Sequence, residues 1–229
     1  MLLQRILVLA GLLFTISSCK TSPQISYNSN HLTKSDWVVE QQIGGNVSFQ
    51  NQVMEITDTK GCTVWFKHRL QGPISISYDA TVIKKGGPYD RASDLNCFWM
   101  ASDPENPQDF FKNSKNRAGK FRNYHQLTLY YVGYGGHHNT KTRFRRYNGT
   151  QNRPLLPAHD LTDAASMIIP NKKMRITLIA KGEKIQYFMN GKLIFEMEDR
   201  APYREGYFGI RTVNNHMIIE NLHIKSIPN

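Results

Sequence analysis

The chain has 229 residues, a net charge of +11 from 29 Lys and Arg against 18 Asp and Glu, and 40% hydrophobic residues. That length and apolar content suffice for one sizeable core. The chain contains no fixed-period repeat, no low-complexity tract, no phosphate-binding glycine loop and no Ser-His-Asp pattern, and past its N-terminal apolar run nothing long enough to span a membrane.

Met1–Ser18 carries one positive charge, Arg5, then an apolar run from Ile6 to Leu13 extended by Phe14 and Ile16. The run is shorter than the ~20 residues of a membrane span and predicts a signal peptide. Ile16-Ser17-Ser18-Cys19 resembles a bacterial lipobox, which implies cleavage before Cys19 and lipidation of its thiol. The other reading is a plain cleavable signal with a coincidental cysteine. The expected organisation is a signal peptide over 1–18, a lipidated N-terminus and tether over 19–33, and one domain over 34–229. It implies a bacterial cell-envelope address, periplasmic or on the outer-membrane surface, with a lipid as the sole membrane contact.

Strands are predicted almost throughout. Ile74, Ile76, Tyr78, Ala80 and Val82 alternate with Ser75, Ser77, Asp79 and Thr81, a period of two over a whole strand. Shorter runs precede and follow it, at Val47–Ile56, Cys62–Lys67, Leu95–Ala101 and Gln126–Val132. Toward the C-terminus come Met174–Ala180, Lys184–Met189, Lys192–Met197, Tyr207–Val213 and Met217–Ile227. Asn190-Gly191 between two of these is a two-residue hairpin signal, because both central positions of a type I′ turn need positive φ. Asp103–Lys120, rich in Asn, Pro and Lys, reads as a long surface loop or lid. Many short strands without a helical pattern mean a sandwich or barrel. Cys62 and Cys97 each lie in an apolar run and are open to either a disulfide or two buried thiols. No cysteine pair or histidine spacing makes a zinc site.

The C-terminal third carries a resemblance. Met174-Arg175-Ile176-Thr177-Leu178-Ile179-Ala180, then Tyr187-Phe188-Met189-Asn190-Gly191-Lys192-Leu193-Ile194-Phe195, then Gly206-Tyr207-Phe208-Gly209-Ile210-Arg211 resembles the concanavalin A-like lectin/glucanase superfamily, including laminin G-like domains. Asp94–Met100 and Tyr130–Asn139 look like a secreted bacterial family linked to polysaccharide breakdown. The resemblance implies an all-β, two-sheet antiparallel jelly-roll sandwich. It does not choose an activity, since the superfamily hosts hydrolases, lyases and non-catalytic lectins. Some relatives hold a structural calcium, so that ion stays possible although no dense acidic loop demands it; no other cofactor is expected.

Charge is concentrated. Phe110–His159 contains no Asp or Glu but ten Lys and Arg, among them Arg143, Arg145, Arg146 and Arg153, interleaved with aromatic residues and histidines. Such a surface suits an acidic polysaccharide or its uronate-bearing fragments. Nucleic acid would use the same residue types but does not fit an envelope address, so no nucleic-acid partner is expected.

Strand alternation then selects side chains. The leucines of Tyr124–Tyr131 are read as core, which puts Tyr124, Gln126 and Tyr130 on the ligand side and His125 inside. Asp94 and Asn96 oppose the core set Leu95, Cys97 and Trp99, and Tyr207 and Arg211 oppose Phe208 and Ile210. Gly133-Tyr134-Gly135-Gly136-His137-His138-Asn139 is a turn with exposed histidines. The substrate-binding candidates are therefore Asp94, Asn96, Tyr124, Gln126, Arg143, Arg145 and Arg211. A glycoside hydrolase needs two carboxyl groups; the Glu-x-Asp-x-x-Glu strand pattern is absent, Glu196 and Glu198 look like an exposed edge, and Asp94 stands alone. The expected chemistry is polysaccharide lyase β-elimination, with His137 or His138 as base and Tyr130 or Tyr134 as acid, the cations lowering the tyrosine pKa. Hydrolysis and non-catalytic glycan capture are the alternatives.

Overall fold

In the period-two segment Ile74–Val82 the residues Ile74, Ile76, Tyr78, Ala80 and Val82 are fully buried and those between them half-buried, as a strand packed on one face requires. The computed structural model describes residues 24–228. Cys19 and the signal segment lie outside them. In chain order the strands are β1 (Ser26–Asn28), β2 (Trp37–Gln41), β3 (Asn46–Gln50), β4 (Val53–Asp58), β5 (Cys62–Phe66), β6 (Leu70–Gln71), β7 (Ile74–Val82), β8 (Leu95–Ser102), β9 (Thr128–Gly135), β10 (Lys141–Asn148), β11 (Asp160–Leu161), β12 (Lys173–Lys181), β13 (Lys184–Met189), β14 (Lys192–Glu198), β15 (Glu205–Thr212) and β16 (Asn215–Ser226). They form two antiparallel sheets. One has the order β14-β13-β12-β7-β16-β4-β3 with β1 on β16; the other has β11-β10-β9-β8-β15-β5-β2 with β6 on β15.

The inner faces of the sheets meet in one apolar core. The first sheet contributes Ile76, Tyr78, Ile176 and Ile219, and the second Trp99, Val132, Phe208 and Ile210. Tyr78 meets Phe208 across the sandwich with ring centroids 5.7 Å apart. Asn190 and Gly191 take φ of 51° and 78°, making the tight β13–β14 hairpin expected of them. Val47–Ile56 is not one strand but a second hairpin, turned at Asn51 and Gln52, both with positive φ.

Two boundaries differ from the sequence expectation. The domain begins before residue 34: β1 pairs with β16, Ile25 exchanges hydrogen bonds with Ser226, and Leu32 is buried. Within residues 25–33, Ser26–Asn28 thus join the first sheet and Leu32 joins the core, where a tether was expected. The strand expected at Gln126–Val132 runs Thr128–Gly135, with Tyr124 in a short 3-10 turn (Phe121–Tyr124) ahead of it.

Cys62 and Cys97 are free and buried on β5 and β8, with β15 between them. Two interstrand spacings, roughly 9–10 Å, exceed the reach of a disulfide. Burial pushes the Cys97 thiol up to about 12 and the Cys62 thiol higher still, so neither is reactive at neutral pH.

Candidate functional site

The second sheet is buried on both faces. Its outer face carries an aromatic cluster of Trp65, Phe98, Leu129, Tyr131 and Tyr147, covered in part by Phe110 and Tyr124 from the segment 103–127. Strand register aligns one polar row across this face: Glu40, Thr63, Arg211, Asn96, Gly133, Arg143 and Asp160. An aromatic row runs beside it through Trp65, Gly209, Phe98, Tyr131 and Arg145.

Over the first half of the polar row, segment 103–127 is fastened by a buried network. Glu40 Oε2 accepts from Tyr124 Oη at 2.6 Å and Trp65 Nε1 at 3.2 Å, and Oε1 lies 3.0 Å from Arg117 Nε and 2.8 Å from Arg117 Nη2. Arg211 donates to Thr63 Oγ1 at 2.9 Å and to Gly119 O at 3.0 Å, with its guanidinium 4.8 Å from the Phe121 ring centre. Pairing offsets the cost of burying these charges. Tyr124 and Arg211 are therefore anchors of the loop, fully enclosed, and not ligand contacts. Burial, reinforced by the Glu40 charge, pushes the Tyr124 hydroxyl far above the ordinary tyrosine range. Gln126 sits exposed in the turn leading into β9, outside the cleft.

Tyr130 and Tyr134 face the opposite way from that expected. Both point into the core between the sheets, where Tyr130 Oη donates to Asp199 at 2.6 Å and Tyr134 Oη to Met167 O at 3.0 Å. Burial raises both hydroxyls, Tyr134 to about 12. Leu127 and Leu129 are apolar because the inserted segment covers them, so they do not mark the inter-sheet side. Tyr131, not Tyr130, belongs to the ligand-side face.

The second half of the polar row is open as a cleft of about 230 Å3. Gly133 and Tyr131 form its floor, Phe121 one wall, and Arg143, Arg145, Arg153, Lys141, His137 and Asp94 the rest. A Cβ at position 133 would come within 2.5 Å of the Tyr131 hydroxyl, so the absent side chain lets that ring lean across the floor. Asn96, next to Gly133 in the row, is buried with its Oδ1 unpaired by protein, as is Nε of its neighbour Arg211.

His137 reaches the cleft from an unusual turn. Gly135 has φ of 64°, and His137, His138 and Asn139 follow with φ of 53°, 60° and 62°. Each L-residue in this region costs about 1–2 kcal/mol, and such strain persists only where neighbours enforce it. Asn139 supplies that restraint, accepting from Ile168 N at 2.8 Å and donating to Ile168 O at 2.9 Å. The turn aims the two histidines apart. His137 Nε2 lies 3.0 Å from Arg143 Nη1, whereas His138 Nδ1 lies 3.5 Å from Arg91 and outside the cleft. Arginine can only donate, so a hydrogen bond in this pair takes Nε2 of His137 as its acceptor.

The cleft is short of negative charge. Asp94 is held by Arg91 at 2.6 Å and by Ser93 Oγ at 2.7 Å. Asp160 takes a fork from Arg143 at 2.8 and 3.1 Å. Arg145 and Arg153 have no carboxylate partner among the described residues; Arg145 donates instead to the Arg153 carbonyl. Burial, with the Arg153 and Arg143 charges adding to it, lowers the Arg145 pKa. Burial and the Arg153 charge likewise push His125 down to about 4. The cations were expected to lower the hydroxyls of Tyr130 or Tyr134, which burial raises instead; at Tyr131 too burial outweighs Arg211 and Arg145 and raises the hydroxyl well above the ordinary value, keeping it protonated. Among the described residues no group of three or more His, Cys, Asp or Glu could hold a metal ion.

Residues 56–222 match the family described as "Domain of unknown function (DUF6250)". The chain belongs to that family. Among solved structures, this DUF6250 chain is similar to a Bacillus subtilis protein of unknown function with a galectin-like fold. The TM-score is 0.65 at 18% identity, covering 86% of this chain and 94% of that one. It is also similar to the carbohydrate-binding module CBM66 from Bacillus subtilis, with TM-score 0.53, 13% identity and coverage of 82% and 93%. A third is a β-1,3-1,4-glucanase (lichenase) derived from a mouse hindgut metagenome, with TM-score 0.54, 11% identity and coverage of 89% and 98%. These likenesses establish the concanavalin A-like jelly-roll fold for the DUF6250 domain. No curated protein matches the chain.

Of the sequence-derived candidates, the cleft brings together Asp94, His137, Arg143 and Arg145, with Asn96 beside its floor. Tyr131, Phe121, Lys141 and Arg153 were not among those candidates. The signal for them was present in the acid-free segment, but which face each occupied depended on the covering loop.

Proposed function

We propose that this domain binds an acidic, uronate-bearing glycan in the cleft and cleaves it by β-elimination. The observation that carries the reading is that Arg143, Arg145 and Arg153 line one cleft with the His137 imidazole and the Tyr131 phenol, with both nearby carboxylates already paired. Arginine forks neutralise the uronate carboxylate and so acidify the C5 proton. A substrate carboxylate that competes for Arg143 releases His137 Nε2 to take that proton. The C5–H electrons form the C4=C5 double bond, the C4–O bond breaks, and Tyr131 protonates the departing oxygen. Solvent then returns a proton to Tyr131 and removes one from His137.

Hydrolysis fits less well. It needs a carboxyl on each side of the scissile bond, and Asp94 is the one carboxyl lining the cleft, tied to Arg91. Glu40 lies under the loop in its ion pair, and Glu196 and Glu198 are exposed on β14, an edge strand of the other sheet, and do not line the cleft. The glycan-related solved structures share only the fold. The test is incubation with a panel of acidic polysaccharides, reading ultraviolet absorbance and reducing ends. Unsaturated uronate products support the mechanism; saturated reducing ends contradict it; salt-sensitive binding without products reduces it to capture. We propose the envelope address on the N-terminal segment alone: Cys19→Ala abolishes palmitate labelling if that cysteine carries the lipid, and unchanged labelling refutes it.

A further inference from the structure

We infer that the cleft receives the end of a glycan chain and not its middle; the inference rests on the acidic-glycan reading and adds where along the chain the domain acts. A ligand lying along the polar row would run from Arg143 and Gly133 toward Arg211, Thr63 and Glu40, across the strands. That path is closed. Phe121 stands at the boundary, packed 5.6 Å from the Tyr131 ring and 4.8 Å from the Arg211 guanidinium. Behind it the loop backbone is seated directly on the sheet: a Cβ at Gly119 would lie 2.3 Å from the Gly61 carbonyl, and one at Gly61 would lie 2.4 Å from that of Gly119.

The closure is built in. The loop is held at its base by the Glu40–Arg117 ion pair, both partners almost wholly inaccessible, and by Tyr124 and Trp65 on the same carboxylate. Opening it would break this buried ion pair and the hydrogen bonds that share its carboxylate. At the strand ends a second wall rises, the Gly136–Asn139 turn clamped to Ile168. A cleft with a fixed blind end takes a terminal sugar, while the remainder of the chain leaves over the β10 side.

The test is binding stoichiometry of the full chain carrying Tyr131→Phe, which keeps the ring and removes the proton donor, titrated with size-fractionated galacturonate oligomers and polymer. Chain-end binding gives a number of proteins per chain that stays constant as length grows, and an affinity per chain that does not change with length. A number bound that rises in proportion to length overturns the inference while leaving the acidic-glycan reading intact. If the wild-type protein and the variant both fail to bind any uronate oligomer at low salt, the acidic-glycan reading falls, and the chain-end inference with it. Product sizes of the wild type give an independent check: end action releases one short size from the first time point, and a spread of intermediate lengths contradicts it.

Discussion

One guanidinium joins Asp160 to His137: Arg143 donates to both Asp160 oxygens, at 2.8 and 3.1 Å, and to His137 Nε2 at 3.0 Å. The fork holds the Asp160 carboxyl below its ordinary value. A carboxyl lowered on folding stabilises the protein above its unfolded pKa, and that contribution is lost as pH falls through the folded value. Asp160→Asn should therefore cost about 0.2–1 kcal/mol at neutral pH, as expected for an ion pair that solvent still screens in part. In strongly acidic buffer the difference should vanish. Denaturant midpoints of the two proteins across pH check this; a gap that persists at low pH speaks against the pair.

The two neighbouring tyrosines of β9 should separate stability from chemistry. Tyr130 Oη donates to Asp199 and accepts from Tyr203 N at 3.0 Å inside the core. Tyr130→Phe leaves those partners short and is expected to cost about 1–3 kcal/mol with turnover unchanged. Tyr131→Phe should do the reverse, sparing stability and lowering turnover about 10²–10⁴-fold, the usual contribution of a general acid. Thermal melts and turnover measured on both variants decide the matter, and the opposite pattern would restore Tyr130 to the site.

Arg117 carries the loop's principal ionic anchor, 3% exposed with its Glu40 partner 0%. Arg117→Met should destabilise the domain by about 3–5 kcal/mol, because the carboxylate stays buried without its cation. Glu40→Gln with Arg117→Met in the same chain should recover part of that loss. Chemical denaturation gives the comparison; additive losses in the double variant would mean the two residues act independently.

His125 is half-buried among Arg153, Arg211 and Arg145, and burial leads in lowering its pKa to about 4. An unfolded histidine titrates near ~6.5, so between these values the unfolded chain binds more protons and stability rises with pH. The contribution is complete above about 6.5 and falls away as pH drops toward the folded value. His125→Gln should flatten the stability profile in that window. An unchanged slope would mean that other groups set it.

Where one face of a strand meets solvent, the fold was legible in the residues themselves. Ile74–Val82 alternates without a break, and Asn190-Gly191 marks its hairpin directly. Legibility failed where the second sheet is covered twice. Along β9 burial is continuous from Leu129 to Gly135, so Leu129 under the loop looks the same as Val132 in the core, and the leucines point to the wrong face. At the start of β8 the polar Asn96, with Asp94 just ahead of the strand, breaks that symmetry and marks the right face. Strand β10 is hidden in the sequence for another reason. Its outward positions are Arg143, Arg145 and Tyr147, and of its inward ones only Phe144 is a buried apolar residue, so the strand that arms the cleft has no apolar period. The network of Glu40, Arg117, Tyr124 and Arg211 spans residues far apart in the chain and could not be assembled without the fold.

The central claim is that Arg143, Arg145 and Arg153 make the cleft a receptor for carboxylate-bearing sugars. The most direct measurement is calorimetric titration of the wild type and an Arg145→Gln/Arg153→Gln variant with a uronate oligosaccharide and its neutral counterpart, at low and high salt. The account expects uronate affinity to fall steeply with salt, because partly exposed charge contacts are screened. It also expects a loss of tenfold or more in the variant, about 1.4 kcal/mol, and no measurable binding of the neutral sugar. Equal, salt-insensitive binding of neutral and acidic oligosaccharides by both proteins would contradict it.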